Sequence, residues 1–196
     1  MVSLRNSEGA PVPVPTQFLI EGIDRVGKDT LVDGLLDRLG YHLVIHYERP
    51  PVLEFYRTNN ERYPERRFQE DSFRTLFRIL QHDPIKMIAN RSHLGEVVYA
   101  PYRNYSGEYV FDLEQELRVE ACTHVRLILL TEDFSRSLHF VDDAKSLGTV
   151  GSRQSEQEAF LRAFHRSLFR DKRMVCVTDH TGGFRARELI VNEILA

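Results

Sequence analysis

Apolar and polar positions along the chain follow two periods. Short apolar runs bounded by polar residues or turn formers recur at Gln17 to Glu21, Leu43 to Tyr47, Ile85 to Asn90, Val125 to Thr131 and Met174 to Thr178. Runs of that length predict buried strands. Between them, Leu31, Leu35 and Leu39 repeat at helical spacing, as do Phe73, Phe77 and Leu80, predicting helices that cover the strands. Gly40 supplies a stop for the first of these. Further helices are predicted over Phe111 to Ala121, Glu156 to Phe169 and Phe184 to Leu195, with Phe160, Leu161, Phe164 and Leu168 as the clearest apolar stripe. Strands that alternate with helices predict an α/β fold, a three-layer sandwich whose parallel sheet of about five strands carries helices on both faces.

Composition adds limits. At 196 residues the chain is long enough for one sizeable core. The opening stretch, with Pro11, Pro13 and Pro15, is too rich in proline for helix or sheet and too polar for a signal peptide. Residues 1–15 are therefore expected to form a mobile arm and residues 16–196 a single domain. With 42% hydrophobic and 28% charged residues the chain has a globular composition. No apolar run approaches the ~20 residues of a membrane span, so no membrane partner is expected. A net charge of -3 disfavours broad adhesion to nucleic acid, which depends on lysine and arginine. Cys122 and Cys176 lack metal-like spacing, which points to a reducing, cytoplasmic setting. His42 and His46 share a strand face but have no third partner for a metal.

The candidate chemistry is concentrated between the first strand and the first helix. Gly22, Gly27 and Lys28 stand there at the spacing of a phosphate-binding loop. Glycines let the backbone curl until several N–H groups point at one anion, and the helix begins where its unpaired amides favour negative charge. The stretch Gly22, Ile23, Asp24, Arg25, Val26, Gly27, Lys28, Asp29 and Thr30 is thus the expected ATP site, with Lys28 reaching the β- and γ-phosphates. The standard loop places Ser or Thr after the lysine to ligate Mg²⁺, whereas this chain has Asp29. Asp29, or Thr30 in a shifted register, is the expected metal ligand.

Glu21, Gly22, Asp24, Gly27 and Lys28 match, position by position, the loop of the thymidylate kinase family, which the chain resembles. Arg25 and Asp29 depart from that loop, although Gly-Lys-Asp-Thr is similar to the loop of phage-type deoxynucleoside monophosphate kinases. The family follows its third strand with Asp-Arg and an aromatic residue, and Asn90-Arg91-Ser92 stands at that position here. The run from Asn90 through Tyr99 to Arg103 is most similar to thymidylate-kinase-like enzymes of tailed phages, some of which act on 5-hydroxymethyluracil in DNA.

The resemblance implies a P-loop kinase that uses ATP and Mg²⁺. Its implied acceptor is a pyrimidine deoxynucleotide, either a free thymidylate-like monophosphate or 5-hydroxymethyluracil within phage DNA during thymidine hypermodification. A nucleotide-binding regulator without turnover is the third reading, and a homodimer is compatible with all three. In this scheme Arg91 and Arg49 orient the acceptor, and Glu48 or Asp24 acts as base where the acceptor is a hydroxyl. Glu21 is the position for a metal-bound water. The polar stretch from Thr131 to Arg153 occupies the place of a lid, with Arg136 and Arg153 completing the charge clamp. His93, beside Arg91, is expected to contact substrate. Phe73 and Phe77 lie where the family binds its acceptor base, either as stacking partners or as core.

Overall fold

The computed structural model describes residues 15–47, 63–135 and 150–196. The expected arm lies, apart from Pro15, outside the described residues. Thirteen elements follow in chain order: β1 (Gln17–Glu21), α1 (Lys28–Leu39), β2 (Leu43–His46), α2 (Tyr63–Leu80), β3 (Met87–Asn90), α3 (Leu94–Tyr99), a 3-10 turn (Ala100–Arg103), α4 (Tyr109–Glu116), a second 3-10 turn (Val119–Ala121), β4 (Val125–Thr131), α5 (Val150–Arg166), β5 (Asp171–Cys176) and α6 (Arg187–Leu195).

The strands form one parallel sheet in the order β2-β3-β1-β4-β5. β1 and β4 are buried along their whole length, as expected of strands covered on both faces. Register brings the strand ends level. Ile20 of β1 pairs with Asn90 on one side and Ile128 on the other, and His46 pairs with Asn90. Glu21, His46, Asn90 and Thr131 thus open onto one edge of the sheet, where ligands of such sheets gather.

Helix packing explains one glycine and helix termination another. A Cβ on Gly34 would meet Val191 at 2.8 Å and Arg187 at 3.0 Å, so α1 and α6 can approach closely because that position is bare. Gly40 ends α1 at φ +79°, with its N–H on the Leu36 carbonyl. At the far end of α5, Lys172 Nζ donates to the carbonyls of Phe164, His165 and Ser167, filling acceptors that the helix end leaves open.

Several boundaries differ from the periodicity. β5 begins at Asp171 instead of Met174, because this strand is at the sheet edge and its first residues are polar. Asp171 pairs there with the buried Arg126, Nε to Oδ2 at 2.8 Å. α5 ends at Arg166, and Leu168 beyond it is exposed and does not continue the apolar stripe. The helix expected through Ala121 stops at Glu116, where Arg118 turns to φ +51°. α6 starts at Arg187, since Phe184 instead bridges back to Thr178. α3 is six residues long, too short for periodicity in the sequence to register.

Candidate nucleotide site

The loop between β1 and α1 takes its shape from three left-handed residues, Gly22 (φ +141°), Arg25 (φ +65°) and Gly27 (φ +87°). At Gly22 the backbone passes so close to β4 that a Cβ would lie 2.7 Å from the Leu130 carbonyl oxygen. Ile23 and Val26 turn their side chains into the core and offer the loop only their backbone. Among the described residues, the N–H groups of Val26, Gly27, Lys28 and Asp29 have no protein acceptor. Four donors at the start of a twelve-residue helix make a concave, positively polarised surface.

Lys28 spans this surface. Its Nζ donates to the carbonyls of Gly22 at 2.7 Å and Ile23 at 2.6 Å. Burial, aided by the neighbouring Arg91 charge, pulls its pKa down to about 8. Arg91 leaves β3 at φ +67° and donates from Nη2 to Asp24 Oδ1 at 2.9 Å, with both side chains roughly half exposed. Lys28, Asp24 and Arg91 are therefore brought together as the sequence predicts.

Glu21 has another task. Its Oε1 accepts from Ser92 Oγ at 2.6 Å and from the N–H groups of Leu94 at 2.8 Å and Gly95 at 3.4 Å. Its Oε1 caps α3, and so locks the segment carrying Arg91 to the strand that carries the loop.

His93 does not face the crevice, contrary to the expectation of substrate contact. It is completely buried, with Nε2 against Glu114 Oε1 at 2.6 Å and Nδ1 against Ser92 Oγ at 3.2 Å. Phe77 packs edge-on against the same ring, at 4.9 Å between centroids. Phe77 is core, and Phe73 is core stacked on Tyr47 at 5.5 Å. Burial lifts the Tyr47 hydroxyl to about 12. Glu114 also accepts from Ser167 Oγ and Leu168 N. Burial would raise its carboxyl, but the hydrogen bond and charge of His93, then those of Ser167 and Leu168, hold it below the usual range.

Arg153 is buried at the start of α5. Its Nη2 donates to Glu132 Oε1 at 2.7 Å and its Nη1 to the Asp24 carbonyl at 3.2 Å, so it braces the loop from the β4 side. Asp29 and Thr30 diverge on the first turn of α1. Asp29 meets Asn90 of β3, whereas Thr30 lines a cleft on the opposite side of the loop. Glu48, Arg49 and Arg136 lie outside the described residues, as does residue range 136–149 of the expected lid.

Three features escaped sequence reasoning. Tyr99 of α3 donates its hydroxyl to Glu156 of α5. Burial raises the Glu156 carboxyl against the Tyr99 hydrogen bond, and the charges of Asp24, Lys28 and Arg153 all reach it, so the pair borders the loop. Glu132, the partner of Arg153, carried no motif. The cleft beside Thr30, of about 210 Å³, is lined by Val26, Leu130, Val177, Phe184 and Arg185 among others. Aromatic Phe184, read from periodicity as part of a helix, was its one visible signal.

The sheet order, with the glycine-shaped loop leaving the central strand, defines a P-loop three-layer α/β fold. That fold is shared with the YorR protein of Bacillus subtilis, solved in complex with phosphorylated GDP. The two match with a TM-score of 0.55 at 15% identity, over 91% of this chain and 92% of YorR. No family model and no curated protein matches the chain. Among the described residues no helix is long and apolar enough to cross a membrane.

Proposed function

We propose that this chain is an ATP-dependent kinase that passes the γ-phosphoryl group to a pyrimidine deoxynucleotide, with a thymidylate-like monophosphate as acceptor. One observation carries the reading: the amides of Val26 to Asp29, the Lys28 ammonium and the Arg91 guanidinium share one end of the sheet. Phosphoryl transfer is largely a matter of positioning and of neutralising charge, and those groups suit both tasks. The fold held in common with YorR, which was solved with a phosphorylated nucleotide, supports the same ligand class.

In this mechanism the loop amides hold the β- and γ-phosphates, and Lys28 exchanges its two carbonyl partners for phosphate oxygens. The cleft beside Thr30 takes the donor base, with Phe184 against the ring. Arg91 releases Asp24 to hold the acceptor phosphate, an oxygen of which attacks the γ-phosphorus as the bond to the β–γ bridging oxygen breaks. A phosphate acceptor is already anionic and needs no base; Asp24 or Glu48 becomes necessary only for a hydroxyl. Arg153 and Glu132 keep the loop from opening, while Arg136, Arg49 and the lid are expected to complete the clamp. Among the described residues no three His, Cys, Asp or Glu side chains cluster around a metal. A cation here would rest on few protein ligands and on phosphate, as Mg²⁺ commonly does, and the Asp29 carboxylate is the fitting donor. Thr30 faces the base cleft instead. Bound Mg²⁺ would neutralise charge on the transferred phosphate.

The test is transfer of label from γ-labelled ATP to dTMP, to thymidine and to DNA containing 5-hydroxymethyluracil. Label on dTMP supports the reading. Label on the DNA alone assigns a DNA kinase, and nucleotide binding with no transfer to any acceptor assigns a regulator.

A further inference from the structure

Asp29 and Asn90 lie 61 residues apart in sequence, yet Asn90 Nδ2 donates to Asp29 Oδ1 at 2.5 Å. The same amide nitrogen faces His46 Nδ1 at 3.2 Å. The contact joins the first turn of α1 to the last residue of β3, at the strand ends where the loop opens. Asn90 is buried, and its Oδ1 has no hydrogen-bond partner among the described residues. An unsatisfied buried acceptor is costly, so the amide is held here for what its donor does.

Charge explains an amide at this position. A carboxylate on residue 90 would meet Asp29 at hydrogen-bonding range, and two like charges would repel at the ends of adjoining elements. The amide removes that conflict and gives Asp29 a fixed donor. Carboxylates that ligate cations are oriented by such outer hydrogen bonds. The donor engages Oδ1 and leaves Oδ2 as a hard oxygen. The Asn90 Oδ1, buried and without a partner among the described residues, is an acceptor that suits a water of a hydrated cation, because Mg²⁺ keeps waters that must donate.

We propose that Asp29 and Asn90 form one cation-holding unit: Asp29 supplies its single negative charge, and Asn90 is the positioning residue that fixes the carboxylate. The inference rests on reading the loop as a site for a nucleotide carrying a divalent cation. The unit needs one carboxylate and one neutral hydrogen-bonding partner. Which position bears the charge is interchangeable, so Asp29→Ser combined with Asn90→Asp moves the charge from helix to strand and preserves the unit.

The experiment uses Mn²⁺ as probe, with free ion read by electron paramagnetic resonance in the presence of adenylyl-imidodiphosphate. Asp29→Ser and Asn90→Ala are each expected to weaken Mn²⁺ retention by about tenfold or more, the range for losing a ligand or its hydrogen-bonded support. Adding Asn90→Asp to Asp29→Ser should restore it to within about threefold of the parent protein, the non-additivity expected of residues in contact. A double variant that binds no better than Asp29→Ser, or an Asn90→Ala protein that binds like the parent, overturns the proposal. Thermal unfolding without cation or nucleotide provides a second measurement. Asn90→Asp alone should lower Tm and the double variant regain it, and an Asn90→Asp protein as stable as the parent also counts against the unit. A parent protein that binds the analogue without regard to Mn²⁺ overturns the unit alone, while one that binds neither overturns the nucleotide reading as well.

Discussion

Arg91 and Asp24 are linked by a 2.9 Å contact that closes the mouth of the loop from the β3 side. The guanidinium is thereby held at the loop, on a carboxylate exposed enough to give it up. Arg91→Ala is expected to lower kcat/KM by about 10²–10³, the usual consequence of removing one donor to developing charge. Arg91→Lys should recover little, because a point charge does not reproduce a planar fork. Steady-state kinetics against acceptor concentration, alongside binding of an ATP analogue, checks that the loss falls on the acceptor and not on the donor.

Lys28 makes the empty loop sensitive to pH. Its folded pKa, about 8, lies below the unfolded value near 10.5, so the unfolded state binds more protons between these values. Stability of the ligand-free protein should therefore rise from pH 8 to 10.5, by on the order of 3 kcal/mol if no other group intervenes. Phosphate oxygens would favour the ammonium again, so nucleotide binding near pH 8 should take up protons. Calorimetry in buffers of different ionisation enthalpy measures that uptake. Proton release on binding would contradict it.

Gly22 and Gly27 should respond differently to alanine. At Gly22 a Cβ meets the Leu130 carbonyl oxygen at 2.7 Å and Val26 Cγ1 at 2.9 Å, in addition to a φ of +141°. At Gly27 the nearest neighbour is the Phe184 ring at 4.0 Å, leaving only the cost of a left-handed backbone. Gly27→Ala is expected to cost about 1 kcal/mol and Gly22→Ala at least about 2–3 kcal/mol, since strain and overpacking add there. Urea denaturation of the two variants gives the comparison.

Glu114 ties α4 to His93 and to the turn after α5, from a position with no exposure. Its folded pKa lies below the unfolded value of 4.5, so its contribution is present above pH 4.5 and is lost as pH falls through the lower folded value. Glu114→Gln should therefore destabilise by about 2–3 kcal/mol at pH 7 and by less at pH 4. Denaturation at the two pH values tests the difference.

Much of this architecture could be read from the chain because the sheet centre is mostly apolar, with polar residues chiefly at the strand ends. Val125 to Thr131 and Gln17 to Glu21 were bounded correctly, as each is covered on both faces. β5 was displaced because an edge strand has polar positions that periodicity reads as loop. The loop was legible because its glycine and lysine spacing falls between an apolar strand and an amphipathic helix. Arg25 departs from the glycine of the resembled loop, yet it keeps the left-handed backbone at φ +65°. His93 misled because adjacence to Arg91 in sequence says nothing about direction. Successive residues leave a turn on different sides, and His93 turned inward to Glu114. Tyr99 and Glu156 were invisible as a pair because only packing of α3 against α5 joins them.

The central position of β1 has a lasting consequence. The Thr30 cleft is walled, beyond the loop itself, by Leu130 and by residues from Val177 onward, whereas Asn90, Arg91 and Tyr99 all precede residue 100. The residues named on the β3 side of the loop thus precede residue 100 and the outer wall of the Thr30 cleft follows it, with Glu156 of α5 reaching the first group through Tyr99. The loop after β1 touches both groups, through Asp24 and Asp29 on one side and Val26 and Thr30 on the other, so a change in its backbone is felt on both sides at once.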